Sequence, residues 1–144
     1  QLVFPIHPRT LHRIEEFGMK SFITENKKLI LIEPLDYLAF QKLISDCAYI
    51  VTDSGGIQEE STFRQIPCLT LRANTERPCT VDIGTNELVP FSNEKISERI
   101  DAIVHNKYKK GVIPPLWDGQ STKRILEACM KFLSSERHAS TLLK

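Results

Sequence analysis

Apolar runs of strand length alternate with longer stretches of helical period along this chain, and that alternation constrains its fold more than any other feature. Residues 29–32 (Leu-Ile-Leu-Ile) make a continuous apolar run of the kind buried on both faces in a parallel sheet. Further strands are expected over 2–6, 48–52, 68–71 and 87–89. Between them, 9–17 carries Leu11, Ile14 and Phe17 on one helical face, and Asp36 is placed to cap a helix with Tyr37, Leu38, Phe40, Leu43 and Ile44 at its apolar positions. A helix over 57–65 must stop before Pro67, which removes a backbone donor and confines Ile66 to extended geometry. Residues 72–85 read as irregular. Ser92 or Asn93 caps a helix bearing Ile96, Ile100, Ile103 and Val104, and 109–118, with Gly111, Pro114 and Pro115, reads as a loop. A last helix near 119–133 places Ile125, Leu126, Cys129, Phe132 and Leu133 on one stripe, which core packing explains. Strands returned to the same edge by helical crossovers predict a parallel sheet with helices on both faces. No repeat or linker interrupts the pattern, so 1–133 reads as one domain and 134–144 as a frayed polar tail.

The fold class is therefore a Rossmann-like α/β. The 144 residues carry 19 basic and 18 acidic side chains, so no overall field draws the chain to nucleic acid or to a membrane surface. The apolar runs fall far short of the roughly 20 residues that span a bilayer. Cys47, Cys68, Cys79 and Cys129 form no C-x-x-C pair and have no histidine at ligand spacing, so they read as reduced thiols of a cytoplasmic protein, with no metal site. The chain opens on Gln1 and runs into Leu2-Val3-Phe4 without the pattern of a signal peptide, as an excised or processed piece would.

In parallel α/β sheets ligands bind beyond the carboxyl ends of the strands, which directs attention to the segments beginning at His7, Glu33, Asp53 and Arg72. The strongest signal is Asp53-Ser54-Gly55-Gly56-Ile57-Gln58-Glu59-Glu60, a buried strand leading through Ser-Gly-Gly into a helix. Glycines let a ligand approach the backbone, the first helical turn presents free N–H groups, and the helix dipole favours negative charge there. Ser54 adds a hydroxyl. A tight turn that requires glycine is the competing explanation, and Glu59 or Glu60, in the first turn, would also simply suit the dipole. The pattern is neither a P-loop nor G-x-G-x-x-G. His7 stands between Pro5 and Pro8, which restrict the backbone around it, and Arg77 in Thr75-Glu76-Arg77-Pro78 has the fork geometry that clamps a phosphate.

The eight-residue motif 53–60, followed 17 residues after Glu60 by Arg77, resembles the signature of the UDP-N-acetylglucosamine 2-epimerases. His7-Pro8, Tyr37-Leu38-Ala39-Phe40 and Asp118-Gly119-Gln120 fit the same family pattern in order and spacing, so the resemblance covers roughly 3–133. It implies two Rossmann-like domains in a GT-B arrangement, of which this chain resembles the C-terminal one. Ser54, Gly55 and Gly56 would then hold the diphosphate, Glu60 the ribose hydroxyls, Phe40 the uracil face, and the backbone near Leu35 the uracil edge. His7 and Arg77 would stabilise charge on the diphosphate as UDP leaves C1 and a proton leaves C2, giving a 2-acetamidoglucal before re-addition.

In that family the acid/base carboxylates belong to the N-terminal domain and have no counterpart in this chain. Glu76 is an available carboxylate, but a solvated role suits it better. Ile66-Pro67-Cys68 lacks the glycine often found before the proline, and His7-Pro8-Arg9 replaces the commoner His-Pro-Asn. The resemblance thus implies the nucleotide-binding part of an enzyme interconverting UDP-GlcNAc and UDP-ManNAc, inactive without its missing N-terminal domain. A hydrolysing epimerase releasing ManNAc and UDP, and a non-catalytic UDP-sugar-binding module, stand as alternatives. The elimination route calls for no cofactor, and a homodimer is left open.

Overall fold

The computed structural model describes the backbone of residues 1–141 and the side chains of residues 1–134. The chain divides into two compact units, Gln1–Asp46 and Cys47–Lys144. Both are built on parallel strands with surrounding helices.

The first unit runs β1 (Leu2–Pro5), α1 (Pro8–Glu16), α2 (Lys20–Thr24), β2 (Leu29–Ile32) and α3 (Tyr37–Asp46). β1 and β2 pair in parallel, from Leu2 beside Leu29 to Pro5 beside Ile32. α1 starts at Pro8, whose missing N–H is no loss in a first turn. It ends in a left-handed Gly18 (φ 64°), with Gly18 N–H donating to Glu15 O and Met19 N–H to Ile14 O. This closure makes Phe17 the cap rather than part of the α1 face, and its side chain is 72% exposed. Ile23 of the unanticipated α2 is buried instead, with Ile6, Gln41 and Ile44. Asp36 caps α3 as expected, its Oδ1 accepting from Ala39 N–H at 2.8 Å. β2 matches its expected span but not its expected burial. In a two-stranded sheet it has one ladder partner, and Ile30 remains exposed.

The second unit runs β3 (Ile50–Thr52), α4 (Gly55–Arg64), β4 (Cys68–Thr70), α5 (Pro78–Asp82), β5 (Asn86–Leu88), α6 (Asn93–Val104) and α7 (Ser121–Thr141). Its strands lie in the order β3-β4-β5, all parallel, with Ile50, Cys68 and Asn86 in register. The central β4 is buried throughout, and with Val89 it forms the core. Gln65, in the left-handed region at φ 59°, ends α4 two residues before Pro67. Residues 72–85 are not wholly irregular, because Pro78 opens α5. At α6 the cap is Ser92, whose Oγ accepts from Lys95 N–H.

α7 departs from expectation in two ways. It continues past Leu133 to Thr141, and residues 142–144 of the expected frayed tail lie outside the described residues. Its stripe is also uncovered: Ile125, Leu126, Cys129, Phe132 and Leu133 are all exposed, so core packing does not account for it. Among the described residues no helix is long and apolar enough to cross a membrane.

The turn into α7 is held by Asp118, which accepts from both Nη atoms of Arg124 and from Gln120 N–H. The Arg124 guanidinium, and after it the Gln120 amide, hold the Asp118 carboxyl down to about 2. A carboxylate lowered in the folded state binds its proton first in the unfolded chain. The pair's contribution is therefore expected to be complete above about pH 4 and to fade as pH falls toward about 2. Arg124→Gln should remove that part of the acid-unfolding profile; a profile superimposable on the parent's would show that this exposed pair adds nothing.

Candidate functional site

In the second unit, β3 delivers the chain at its carboxyl end to Asp53 and Ser54. Ser54 N–H donates to Thr52 Oγ1 at 3.1 Å, and α4 then starts at once on Gly55. The two glycines are thus the first helical turn and not a turn before it. This moves Glu59 and Glu60 into the second turn, beyond the reach of the free first-turn amides.

The competing explanation for the glycines also fails. Neither has a positive φ, and a Cβ added to either would meet no atom within 4 Å. Nothing in the chain's own geometry demands glycine at these positions. What they do is keep the approach to the first-turn N–H groups open at the positive end of a ten-residue helix. The Ser54 hydroxyl makes no capping bond to α4.

Arg77 is the N-cap of α5. Its Nε lies 3.0 Å from Glu59 Oε1, an ion pair in which the N–H is not aligned for a hydrogen bond, and its side chain stays 38% exposed. Sequence reading missed this pairing across 18 positions, and no local signal marks it. Glu76 is well exposed, as expected of a solvated carboxylate. Glu60 is half-buried on α4.

Beneath the loop lies a polar network, also unanticipated. Gln58, Thr70, Thr80 and Asn86 are all completely buried. Gln58 Oε1 accepts from Thr75 Oγ1 at 2.6 Å and from Asn86 Nδ2 at 3.0 Å, while Gln58 Nε2 donates to Ser54 O at 3.3 Å. Asn86 Nδ2 also donates to Thr80 Oγ1 at 3.0 Å, and Asn86 Oδ1 accepts from Thr70 Oγ1 at 2.6 Å. Thr75 Oγ1 accepts from Arg77 N–H at 3.0 Å, and Thr80 Oγ1 donates to Arg77 O at 2.7 Å. With the Thr70 proton given to Asn86, the Cys68 thiol is left as donor to Thr70 Oγ1, and burial pushes its pKa up so that it keeps its proton.

In the first unit, His7 follows β1 and caps α1, its Nδ1 accepting from Arg9 N–H at 3.2 Å. Neutral His7 bonded in this way carries its proton on Nε2, which makes that edge a donor. Leu35 lies in the segment after β2 and is partly exposed. Phe40 sits half-buried in the first turn of α3, with its N–H on Asp36 O. All three therefore lie beyond carboxyl ends of their own unit's strands, as Ser54, Gly55, Gly56 and Arg77 do in theirs.

A cavity of about 620 Å³ in the second unit is lined by residues such as Tyr49, Pro67 and Thr85, which precede β3, β4 and β5. It occupies the amino ends of these strands, and its lining includes none of Ser54, Gly55, Gly56, Glu60 and Arg77 of the same unit. Among the described residues no cluster of His, Cys, Asp and Glu suits a metal ion.

The family model for UDP-N-acetylglucosamine 2-epimerase matches residues 1–130. The chain belongs to the UDP-N-acetylglucosamine 2-epimerase family. It is 42% identical over 125 residues to the UDP-N-acetylglucosamine 2-epimerase of Methanocaldococcus jannaschii, covering 87% of this chain and 34% of that one. The Escherichia coli K12 relative is 37% identical over 132 residues, covering 89% and 34%. Among solved structures, the Methanocaldococcus jannaschii epimerase in complex with UDP-GlcNAc and UDP superposes with a TM-score of 0.75 at 40% identity, covering 90% of this chain and 35% of that one. A Staphylococcus aureus MnaA structure with UDP gives 0.72 at 28% identity, covering 92% and 36%. This epimerase-family chain thus spans about a third of the length of these relatives.

Proposed function

We propose that the chain is the C-terminal, nucleotide-binding domain of a GT-B UDP-N-acetylglucosamine 2-epimerase that interconverts UDP-GlcNAc and UDP-ManNAc in the cytoplasm. The observation that carries this reading is the pair Gly55-Gly56, which opens the first turn of α4 to an anion although no internal constraint requires glycine there.

The diphosphate lies on the Gly55 and Gly56 amides with the Ser54 hydroxyl. Glu60 accepts from the two ribose hydroxyls, Phe40 packs on uracil, and the backbone near Leu35 pairs with the uracil edge. Arg77 exchanges its exposed ion pair with Glu59 for the diphosphate, and His7 donates from Nε2. As the C1–O bond breaks and the C2 proton departs, negative charge collects on UDP, and these groups stabilise it. The carboxylates that take and return the C2 proton come from the rest of the enzyme, so this domain alone turns nothing over. UDP then adds back to C1 of the 2-acetamidoglucal, after protonation at C2 on the opposite face.

Calorimetry with UDP on the full-length protein tests the site. Arg77→Ala and Glu60→Ala should each weaken UDP by about tenfold, the usual scale for a charged hydrogen-bonding partner. Unchanged affinity in both would overturn the assignment. With UDP-GlcNAc as substrate the expected product is UDP-ManNAc, while free ManNAc with UDP would mark the hydrolysing branch instead.

A further inference from the structure

We propose that Thr75 and Gln58 are positioning residues for the diphosphate site, joining the Ser-Gly-Gly loop and Arg77 into one rigid frame through a proton-ordered bridge. The inference rests on the reading of that loop and of Arg77 as UDP contacts.

The bridge has a single direction for every proton. The Gln58 carboxamide donates to Ser54 O and accepts from Thr75 Oγ1 and Asn86 Nδ2. Thr75, having given its proton to Gln58, accepts from the backbone N–H of Arg77. Thr80, having accepted from Asn86, donates to the carbonyl of the same arginine. Both backbone polar groups of Arg77 are thus fixed, while its guanidinium remains 38% exposed and, among the described residues, pairs with carboxylate and carbonyl oxygens that an incoming phosphate can replace. A buried amide cannot be rotated here without setting acceptor against acceptor, so the separation between the α4 amides and the Arg77 backbone is held before ligand arrives. Preset donors lose less freedom on binding an anion than donors that must be gathered around it.

Thr75 is the place to test this, because it is half-buried and its hydroxyl can be removed at nearly constant shape. In the full-length protein, Thr75→Val is expected to weaken UDP by about tenfold, and Thr75→Ala by a similar factor should valine disturb folding. Thr75→Ser, which keeps the bridge, should return affinity to within about twofold of the parent. The deciding measurement is the double variant. On an Arg77→Ala background, Thr75→Val should change UDP affinity by less than about twofold, since its effect passes through the missing side chain. Full additivity, or an unchanged affinity in both Thr75→Val and Thr75→Ala, would overturn the positioning role while leaving the nucleotide site standing. An Arg77→Ala variant that binds UDP normally would remove Arg77 from the site and this inference with it, and the same result in Glu60→Ala would overturn the site reading as well.

Discussion

Replacing Gly111 by alanine is expected to destabilise the protein by about 3 kcal/mol, the upper range for a methyl group forced into a filled space. A Cβ at this position would run into the backbone carbon of Gly84 and lie 2.6 Å from Thr85 N and 2.7 Å from Gly84 O. These are backbone atoms, which cannot swing aside as the end of a long side chain can. Nor can the opposing segment retreat. Gly84 is itself packed with no room for a side chain, its own added Cβ falling 2.5 Å from Thr80 O and 2.6 Å from Thr62 Cγ2. Around the contact, Val112 N–H donates to Ile83 O at 2.8 Å, Lys109 Nζ to Val81 O at 2.6 Å, and Tyr108 Oη lies 3.1 Å from both Cys68 O and Thr85 O. The segment 108–112 is thereby laced to 81–85, the stretch that feeds β5. The methyl must break part of this lacing or push β5 from its place beside β4. Urea or thermal unfolding of Gly111→Ala in the full-length protein should show a clearly lowered midpoint, and a midpoint equal to the parent's would mean that the two segments separate freely.

That contact also shows where sequence reading stops. Gly111 was legible as a loop residue among prolines, but its reason for being glycine is a partner 27 positions away. The same limit separates what local signals carried from what they did not. The β2 run, the β4 run and the Asp36 cap depend on residues within a few positions of one another, and their positions match the structure. α2 and α5 have five residues each, too few for a hydrophobic period, and their starts follow from the Gly18 closure and from Pro78.

The start of α4 was placed too late for a related reason. Glycine is a poor helix former, so propensity argues against Gly55 and Gly56, whereas the structure begins the helix on them. In the site, the loop and Arg77 were visible as residues, but the bridge between them was not. It joins Gln58 to Asn86 across 28 positions and Thr70 to Asn86 across 16, and polar side chains on buried strand positions carry no sequence signature of their partners. For α7 the period reveals a stripe and nothing about its cover, and the stripe is exposed.

Alanine at Gly55 or Gly56 should give the opposite result to alanine at Gly111. Both positions have ordinary helical geometry with open space where the Cβ would go, so folding has no objection to a methyl group. Alanine is the better helix former by about 1 kcal/mol in a helix interior, and the effect in a first turn has the same sign, so the unfolding midpoint should stay level or rise slightly. Binding should move the other way. If phosphate oxygens rest on the first-turn amides, the methyl occupies the space of the ligand, and steric exclusion of this kind is worth up to about 100-fold in UDP affinity. The separation of the two measurements gives the test its force. A glycine kept for turn geometry would lower stability and, through it, binding in proportion, while a glycine kept for a ligand loses binding in a protein that is as stable as before. Calorimetric titration of UDP alongside thermal unfolding of Gly55→Ala and Gly56→Ala in the full-length protein distinguishes these outcomes. Undiminished affinity in both variants would remove the first turn of α4 from the diphosphate site and leave the open face of these two glycines without a ligand to explain it.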